Sequence, residues 1–266
     1  MNKPDVKPVR GASPGSPEAL AASLGTDGAT PTVDEIHDQL REWILHGELE
    51  AGSVISQVKL AERLSVNRTP LREALRMLQR EGLVHAEYNR RIRIAPLRTA
   101  EFEQIYAIRV LQEALGIRLG VPRFSSVDLQ RMAELIEEME SLASSDNFEQ
   151  WEQPHRQFHR LLVSQAGERL RDSLAMLQDH TERYRRALII QSPVALEHGA
   201  VDHRNIAAAC AARDATAAGA WVARHLSRTA LALISISEPT YDAVAIRESL
   251  RMVVGDDAPP EPIAGP

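Results

Sequence analysis

The sequence has little of what forms covalent cross-links or β-rich cores. Among 266 residues there is one cysteine, Cys210, which excludes an intramolecular disulfide and any metal site built from several cysteines. The aromatic residues number only four Phe, four Tyr and three Trp, whereas Ala, Leu, Glu and Arg are abundant. These proportions favour helices over a β-sandwich or a β-barrel.

Long apolar runs are also absent from the sequence. No segment approaches the roughly 18 consecutive apolar residues of a membrane-spanning helix, and the N-terminus lacks the regions of a secretory signal peptide. Residues 1–30 are rich in proline and glycine and poor in apolar side chains. We therefore predict a disordered tail there, on a cytoplasmic protein that has no contact with a membrane.

The net charge of −6 is unevenly distributed along the chain. Residues 59–98 contain ten basic and four acidic side chains, a net charge of +6, whereas residues 99–266 contain 17 basic and 24 acidic ones, a net charge of −7. The average argues against a nucleic-acid partner, but a basic segment is the footprint expected for contact with phosphates. A solvated charged surface is the alternative interpretation.

The local pattern around the basic segment favours DNA binding. Apolar side chains recur at helical spacing in three stretches, which end near Gly47, Ser65 and Gly82. Two short extended runs follow, Leu83 to Glu87 and Ile92 to Ala95. We therefore predict a winged helix-turn-helix domain over residues 31–97. In this fold the third helix enters the major groove of DNA, and the wing contacts the backbone or the minor groove.

Seven polar side chains of this domain are predicted to contact DNA: Lys59, Asn67, Arg68, Thr69, Arg72, Arg90 and Arg91. Arg68 and Arg72 lie at the leading end of the third helix, where each can grip a guanine edge or a phosphate through two hydrogen bonds. The other helix residues are expected to position phosphates, and the last two arginines belong to the wing. Further along the third helix, Arg76 and Arg80 are expected to pair with neighbouring glutamates.

The same segment resembles the DNA-binding domain of the GntR family over about residues 33–97. The resemblance rests on Gly47-Glu-Leu-Glu-Ala-Gly52 and, more specifically, on Arg68-Thr-Pro-Leu-Arg-Glu-Ala-Leu75. The wing differs from the family in having Asn89-Arg90-Arg91 and no glycine. The resemblance implies a transcriptional regulator, most often a repressor, that binds a palindromic operator as a homodimer.

Helical periodicity is nearly unbroken after residue 98. Six helices are predicted, over about residues 100–119, 126–144, 149–166, 170–187, 194–213 and 215–235, with a short seventh near 240–252 left as an option. They form a helical domain over residues 98–238, followed by a C-terminal tail at 239–266. The predicted fold is therefore all-α with a small β wing, an N-terminal winged helix-turn-helix followed by an antiparallel six-helix bundle.

Four histidines lie on the inner faces of three of these helices: His155, His159, His203 and His225. A single inward histidine is more often a hydrogen-bonded core residue than a metal ligand. Four that converge favour a divalent metal, because neutral imidazole is the commonest metal ligand in proteins. With one cysteine in the chain, histidine is also the only plausible source of such a site.

The helical part resembles the FCD-type effector domain of the FadR branch of the GntR family. Phe158-His159-Arg160-Leu161-Leu162, His203-Arg204-Asn205-Ile206 and Ala223-Arg224-His225-Leu226 match its pattern in order. Family members commonly hold a metal with an aspartate and three histidines, and His155 stands at the aspartate position. The resemblance implies a metal site in which the lost negative charge favours zinc or nickel. Six helices suit the shorter, VanR-like arrangement.

Arg109 matches a family arginine that often faces the effector cavity, where it could pair with a carboxylate. The resemblance thus implies a small organic acid that binds beside the metal. An ion pair between Arg109 and Glu113, four residues further along, explains the same arginine equally well.

Two other interpretations of the histidine set remain open. It could belong to a metal-dependent enzyme fused to a DNA-binding domain, since open positions on a metal can activate water. The sequence offers no pair of carboxylates in register with the histidines for such chemistry. Alternatively, the metal could only staple the bundle together.

Overall fold

The computed structural model describes residues 31–89, 91–142, 148–189 and 194–255. The chain divides into two compact units at the junction of Pro96 and Leu97. The predicted tail at residues 1–30 and the wing residue Arg90 lie outside the described residues.

The first unit is a three-helix domain with a small sheet. Its elements are α1 (Val33–Leu45), β1 (Val54–Ser56), α2 (Gln57–Leu64), α3 (Arg68–Arg80), β2 (Val84–Glu87) and β3 (Arg91–Ile94). A capping box between Thr32 and Glu35 begins α1, because each residue bonds the backbone N–H of the other. The apolar faces of the helices and strands meet in one core, in which Leu40, Leu78 and Ile94 are completely buried.

The wing has one strand more than the sequence pattern predicts. The sheet order is β1-β3-β2 and both pairs are antiparallel, with Val54 opposite Arg93 and Val84 opposite Ile94. β1 is too short to show an alternating pattern. At the tip, Asn89 adopts a positive φ of 59°, a conformation that asparagine tolerates better than most residues. Asn89 thus forms the turn at the tip of the wing, where the sequence has no glycine.

The second unit is a helical bundle. Its helices are α4 (Thr99–Gly120), α5 (Ser126–Leu142), α6 (Phe148–Leu162), α7 (Glu168–Ile189), α8 (Val194–Ala211), α9 (Ala215–Ser237) and α10 (Val244–Val254). The long helix α4 packs against α7, α9 and α10, and its side chains Phe102, Val110 and Ile117 lie in the core of the bundle. In the described ranges no helix is both long enough and apolar enough to cross a membrane.

The predictions of six bundle helices and of a tail that begins at residue 239 are wrong. The optional last helix is α10, so the described residues contain seven bundle helices. Glu103 of α4 stabilises the start of α10. The carboxylate of Glu103 accepts hydrogen bonds from the Tyr241 hydroxyl and the Ala245 amide, both at 2.7 Å. Because Glu103 lies about 140 residues before α10 in the chain, the local periodicity of the sequence does not reveal this contact. The likeness to the VanR-like arrangement rested on the count of six and loses that support.

Candidate DNA-binding surface and metal centre

The third helix of the first unit presents its predicted contact residues to solvent. One face of α3 is buried through Leu71, Ala74, Leu75 and Leu78. Arg68, Thr69 and Arg72 lie on the exposed face at the start of the helix. Asn67 precedes the helix, and its side chain makes no capping hydrogen bond. This exposed amide is therefore available to an external acceptor such as a phosphate.

The remaining basic residues of this unit differ in their surroundings. Lys59 and Arg91 are exposed. Arg76 pairs with Glu73 at 2.7 Å, as the sequence predicts. Arg80 is exposed in the last turn of α3 and has no acidic partner among the described residues, so its predicted pairing with a glutamate is wrong.

The second unit brings the four inward histidines together. His155 and His159 lie one turn apart on α6, His203 lies on α8, and His225 lies on α9. One ring nitrogen from each comes within 4.8 Å of the others. All four residues are buried. The helix α6 continues through Pro154, so His155 stays on the face of His159.

Carboxylates lie near three of the four rings, and one of them is hydrogen-bonded. Nδ1 of His159 lies 3.1 Å from Glu113 and forms a hydrogen bond with it. Nδ1 of His155 lies 3.5 Å from Glu152 and Nδ1 of His225 lies 3.4 Å from Asp202, and neither nitrogen has a hydrogen-bond partner among the described residues. At His159 the carboxylate fixes the orientation of the imidazole and raises the basicity of Nε2, which is how histidine ligands of metals are commonly held.

One ring nitrogen of each cluster histidine is suited to a metal. Four nitrogens are buried and have no hydrogen-bond partner among the described residues: Nδ1 of His155, Nε2 of His159, Nε2 of His203 and Nδ1 of His225. A buried polar atom left in this state costs about 1–3 kcal/mol, and a bound cation would use all four lone pairs. An all-nitrogen donor set suits zinc or nickel.

Burial favours the neutral form of three of these imidazoles by lowering their pKa values. It lowers the pKa of His155 and of His203 well below the ordinary value for histidine, and the nearby charges of Arg185 and of the other histidines add to the effect. Burial also lowers the pKa of His159, to about 4, although Glu113 opposes this change. Neutral imidazole is the form that binds a metal.

Arg109 is bound within the bundle. It is buried, and its Nε donates to Glu113 Oε1 at 2.8 Å while a terminal nitrogen donates to Thr181 Oγ1 at 2.7 Å. Burial raises the pKa of Glu113, but Arg109 and His159 together outweigh it, and the pKa is lowered to about 2. The ion pair that the sequence left open as an alternative is therefore present. Through Glu113, it links Arg109 to His159.

The sequence reasoning missed a second buried guanidinium near the cluster. Arg185 of α7 is buried and bonds Glu152, whose carboxylate faces His155. It belongs to a polar stripe at spacings of three and four residues on the inner face of α7: Gln178, Thr181, Glu182 and Arg185. Polar residues at this spacing within an otherwise apolar bundle were the signal that could have identified it.

Two family models match this chain. Residues 32–94 match the model for bacterial regulatory proteins of the gntR family, and residues 104–228 match the FCD domain. The first match covers the unit that carries α3, and the second covers α6, α8 and His225 of α9.

Several bacterial regulators are similar in sequence. YdhC of Bacillus subtilis, an HTH-type transcriptional regulator, is 31% identical over 139 residues, which cover 52% of this chain and 62% of YdhC, less than two thirds of that relative. The HTH-type transcriptional repressor GlaR of Escherichia coli is 27% identical over 195 residues, or 70% of this chain and 89% of GlaR. The gluconate operon transcriptional repressor of Bacillus licheniformis is 32% identical over 41% of this chain and 46% of its own.

Solved structures share the fold. McbR/YncC of E. coli aligns with a TM-score of 0.68 at 19% identity, over 76% of this chain and 97% of its own. A GntR-type regulator from Rhodococcus sp. RHA1 aligns with a TM-score of 0.63 at 20% identity, over 79% and 99%. At these identities the likeness establishes the architecture alone.

Proposed function

Because this chain belongs to the GntR family and carries an FCD domain, we propose that this transcriptional regulator is a repressor controlled by a metal-assisted effector site. As a homodimer it would bind a palindromic operator. A small organic acid bound beside a divalent metal in the helical unit would release it. The families and relatives that match are regulators and not enzymes, so the enzyme alternative is set aside.

The exposed start of α3 supports the DNA-binding part of the proposal. Arg68 and Arg72 are exposed on a helix whose opposite face is anchored in the core. In a helix-turn-helix, the N-terminal residues of the recognition helix reach the base edges. A guanidinium there can form two hydrogen bonds with a guanine, which is worth about 1–3 kcal/mol of discrimination.

The observation that supports the sensory part most directly is the convergence of four buried histidines. His155, His159, His203 and His225 would hold the ion, with the carboxylate of Glu113 orienting the ring of His159. When bound, the ion would supply positive charge, and an ion that accepts more than four ligands, such as nickel, would also offer coordination positions to an anionic ligand.

Two guanidinium groups near the cluster support a carboxylate effector. Arg109 and Arg185 are both buried, and each already pairs with a glutamate that also faces a cluster histidine. An organic acid that pairs with Arg109 would compete with Glu113 for this guanidinium. We propose that this competition couples effector binding to the helices that carry the cluster and shifts the population of dimers able to bind both operator half-sites.

The proposal is tested by operator affinity at fixed salt, on DNA identified by a footprint on the protein's own promoter. Arg68→Ala with Arg72→Ala should weaken specific binding at least tenfold, because base and phosphate contacts are both lost. Arg76→Ala with Arg80→Ala removes the same charge further along α3 and should weaken binding less. Equal losses in the two variants would contradict the assignment of the recognition residues.

The same assay tests the sensory part. Zinc-loaded protein is titrated with a panel of small mono- and dicarboxylic acids, and at least one acid should lower operator affinity. If zinc removal lowers thermal stability while no acid changes operator affinity, the metal is a structural staple and the sensory proposal fails.

A further inference from the structure

A pocket of about 300 Å³ lies between the end of α6 and the first half of α7. One wall of this α6–α7 pocket is the last turn of α6 with the two residues that follow it, and the other is one face of α7. Its volume is at the lower end of the range for small-ligand sites. None of the four cluster histidines is among its described lining residues, so the pocket and the metal centre share no side chain.

Two polar groups in the walls of the α6–α7 pocket lack a hydrogen-bond partner. Gln178 is only 8% exposed, and its Nε2 atom has no partner among the described residues. The same holds for the buried hydroxyl oxygen of Ser164 on the opposite wall. Buried polar groups in native proteins nearly always have a partner. Because an amide N–H and a hydroxyl can both donate, an acceptor bound in the pocket would satisfy the two groups together.

The charges around the α6–α7 pocket favour an acceptor that is an anion. Arg160 and Arg171 both line the pocket and are exposed. Arg171 donates to the backbone carbonyl of Ser164 at 3.4 Å and forms no ion pair within the described ranges, while Arg160 lies 3.9 Å from a carboxylate oxygen of Asp179. With Asp172, which also lines the pocket, the formal charge of the lining is +1. This balance suits a ligand with a single negative charge, which a guanidinium can bind through two hydrogen bonds.

The remaining wall of the α6–α7 pocket is apolar. It consists of Val163, Leu174 and Ala175, of which the first two are buried. Small-ligand sites typically combine such an apolar lining with a few polar groups that fix the orientation of the ligand. A ligand of this pocket therefore needs an apolar body beside its charged group.

We infer that the α6–α7 pocket binds a small monocarboxylic acid with an apolar body. The carboxylate of this acid accepts hydrogen bonds from Ser164 and Gln178 and pairs with Arg171. Its chain or ring lies against Val163 and Leu174. The site goes beyond the proposed function, because its acid binds without touching the metal. The two sites share the helix α6, which carries two of the cluster histidines.

The first test is a calorimetric titration of metal-free, full-length protein with benzoate and with hexanoate. At least one of these acids should bind, with one molecule per chain. The corresponding amide, benzamide or hexanamide, should bind at least tenfold more weakly, because it has the same apolar body and no charge for the guanidinium. If neither acid binds, or if the amide binds as tightly as its acid, the inference is wrong.

Substitutions in the walls test the position of the acid. Arg171→Gln removes an exposed guanidinium without disturbing the core, and Gln178→Met removes the unpartnered amide at nearly constant size. Each should weaken binding of the acid about tenfold. Arg169→Gln, an exposed position of α7 outside the pocket, should bind like the wild type, and circular dichroism verifies that each variant is folded. Wild-type affinity in Arg171→Gln or in Gln178→Met, or an equal loss in Arg169→Gln, overturns the inference.

Removal of the metal centre separates this pocket from the proposed effector site. His159→Ala should bind the acid with wild-type affinity, because His159 does not line the pocket. An acid that binds only in the presence of zinc, and not to His159→Ala, occupies the metal-assisted site, so the inference fails while the proposed function stands. An acid that binds the metal-free protein but leaves operator affinity unchanged supports the pocket and gives no support to the proposed function.

Discussion

At the scale of single residues, Glu113 determines how the histidine cluster can work. Its carboxylate is fully buried, accepts from Arg109 and contacts Nδ1 of His159. Arg109 holds this carboxylate ionised in a place where burial alone would favour protonation. An ionised carboxylate behind the ring directs Nε2 of His159 toward a metal.

Glu113→Gln keeps the size of the side chain and removes its charge. We expect zinc affinity, measured by competition with a chromophoric chelator, to fall 10- to 100-fold, as is usual when the hydrogen-bond partner of a ligand histidine is replaced. Glu137→Gln, an exposed substitution on α5, serves as the control. Unchanged affinity in Glu113→Gln would mean that the carboxylate is only the partner of Arg109.

The cluster histidines could be predicted from the sequence because each lies on the apolar stripe of its own helix, so periodicity alone identifies the inward positions. The carboxylates behind them could not be assigned in this way. Glu113 contacts a ring 46 residues away, and Asp202 contacts His225 on the next helix. Such pairings depend on how the helices pack against one another. The periodicity of a single sequence does not predict which residues of different helices come into contact.

At the scale of elements, α10 is the clearest addition to what the sequence predicted. The helix is joined to α4 through Glu103, and Ile246 is completely buried. The hydrogen bond to Glu103 raises the pKa of Tyr241 to about 12, with a smaller contribution from burial. The two hydrogen bonds to Glu103 and the buried Ile246 make α10 a structural part of the bundle.

Tyr241→Phe tests this role by removing the hydroxyl that Glu103 accepts. The free energy of unfolding, from urea titration, should fall by about 1–3 kcal/mol, because the buried carboxylate of Glu103 loses the hydroxyl that donates to it. Tyr88→Phe, at a wing residue that is 86% exposed, should leave stability unchanged. If both variants are equally stable, α10 contributes nothing through this contact.

The wing also contains an element that the sequence did not predict, the short strand β1. The alternation of Ile92 and Ile94 with arginines identified β3, whereas the three-residue strand β1 was missed. Its place in the sheet depends on β3, since the backbone of Ile94 bonds to Gly52 and Ser53. An edge strand of this length has almost no pattern of its own.

At the scale of the whole molecule, the net charge of −6 combines a basic segment in the first unit with an acidic second unit. The basic unit exposes Arg68 and Arg72, while the acidic unit buries a cluster of four histidines with three carboxylates nearby. Both the split and the histidine set could be predicted from the sequence. The seventh bundle helix could not, because its position depends on how the bundle packs.

Zinc or nickel titration of metal-free, full-length protein by calorimetry tests the central claim most directly. The account predicts one ion per chain for the wild type and for His180→Ala, whose histidine lies on α7 outside the cluster. It predicts that His159→Ala loses this binding or is weakened at least 100-fold. A wild-type protein that binds neither ion, or a His159→Ala variant with wild-type affinity, would contradict the claim that these four histidines form a metal centre.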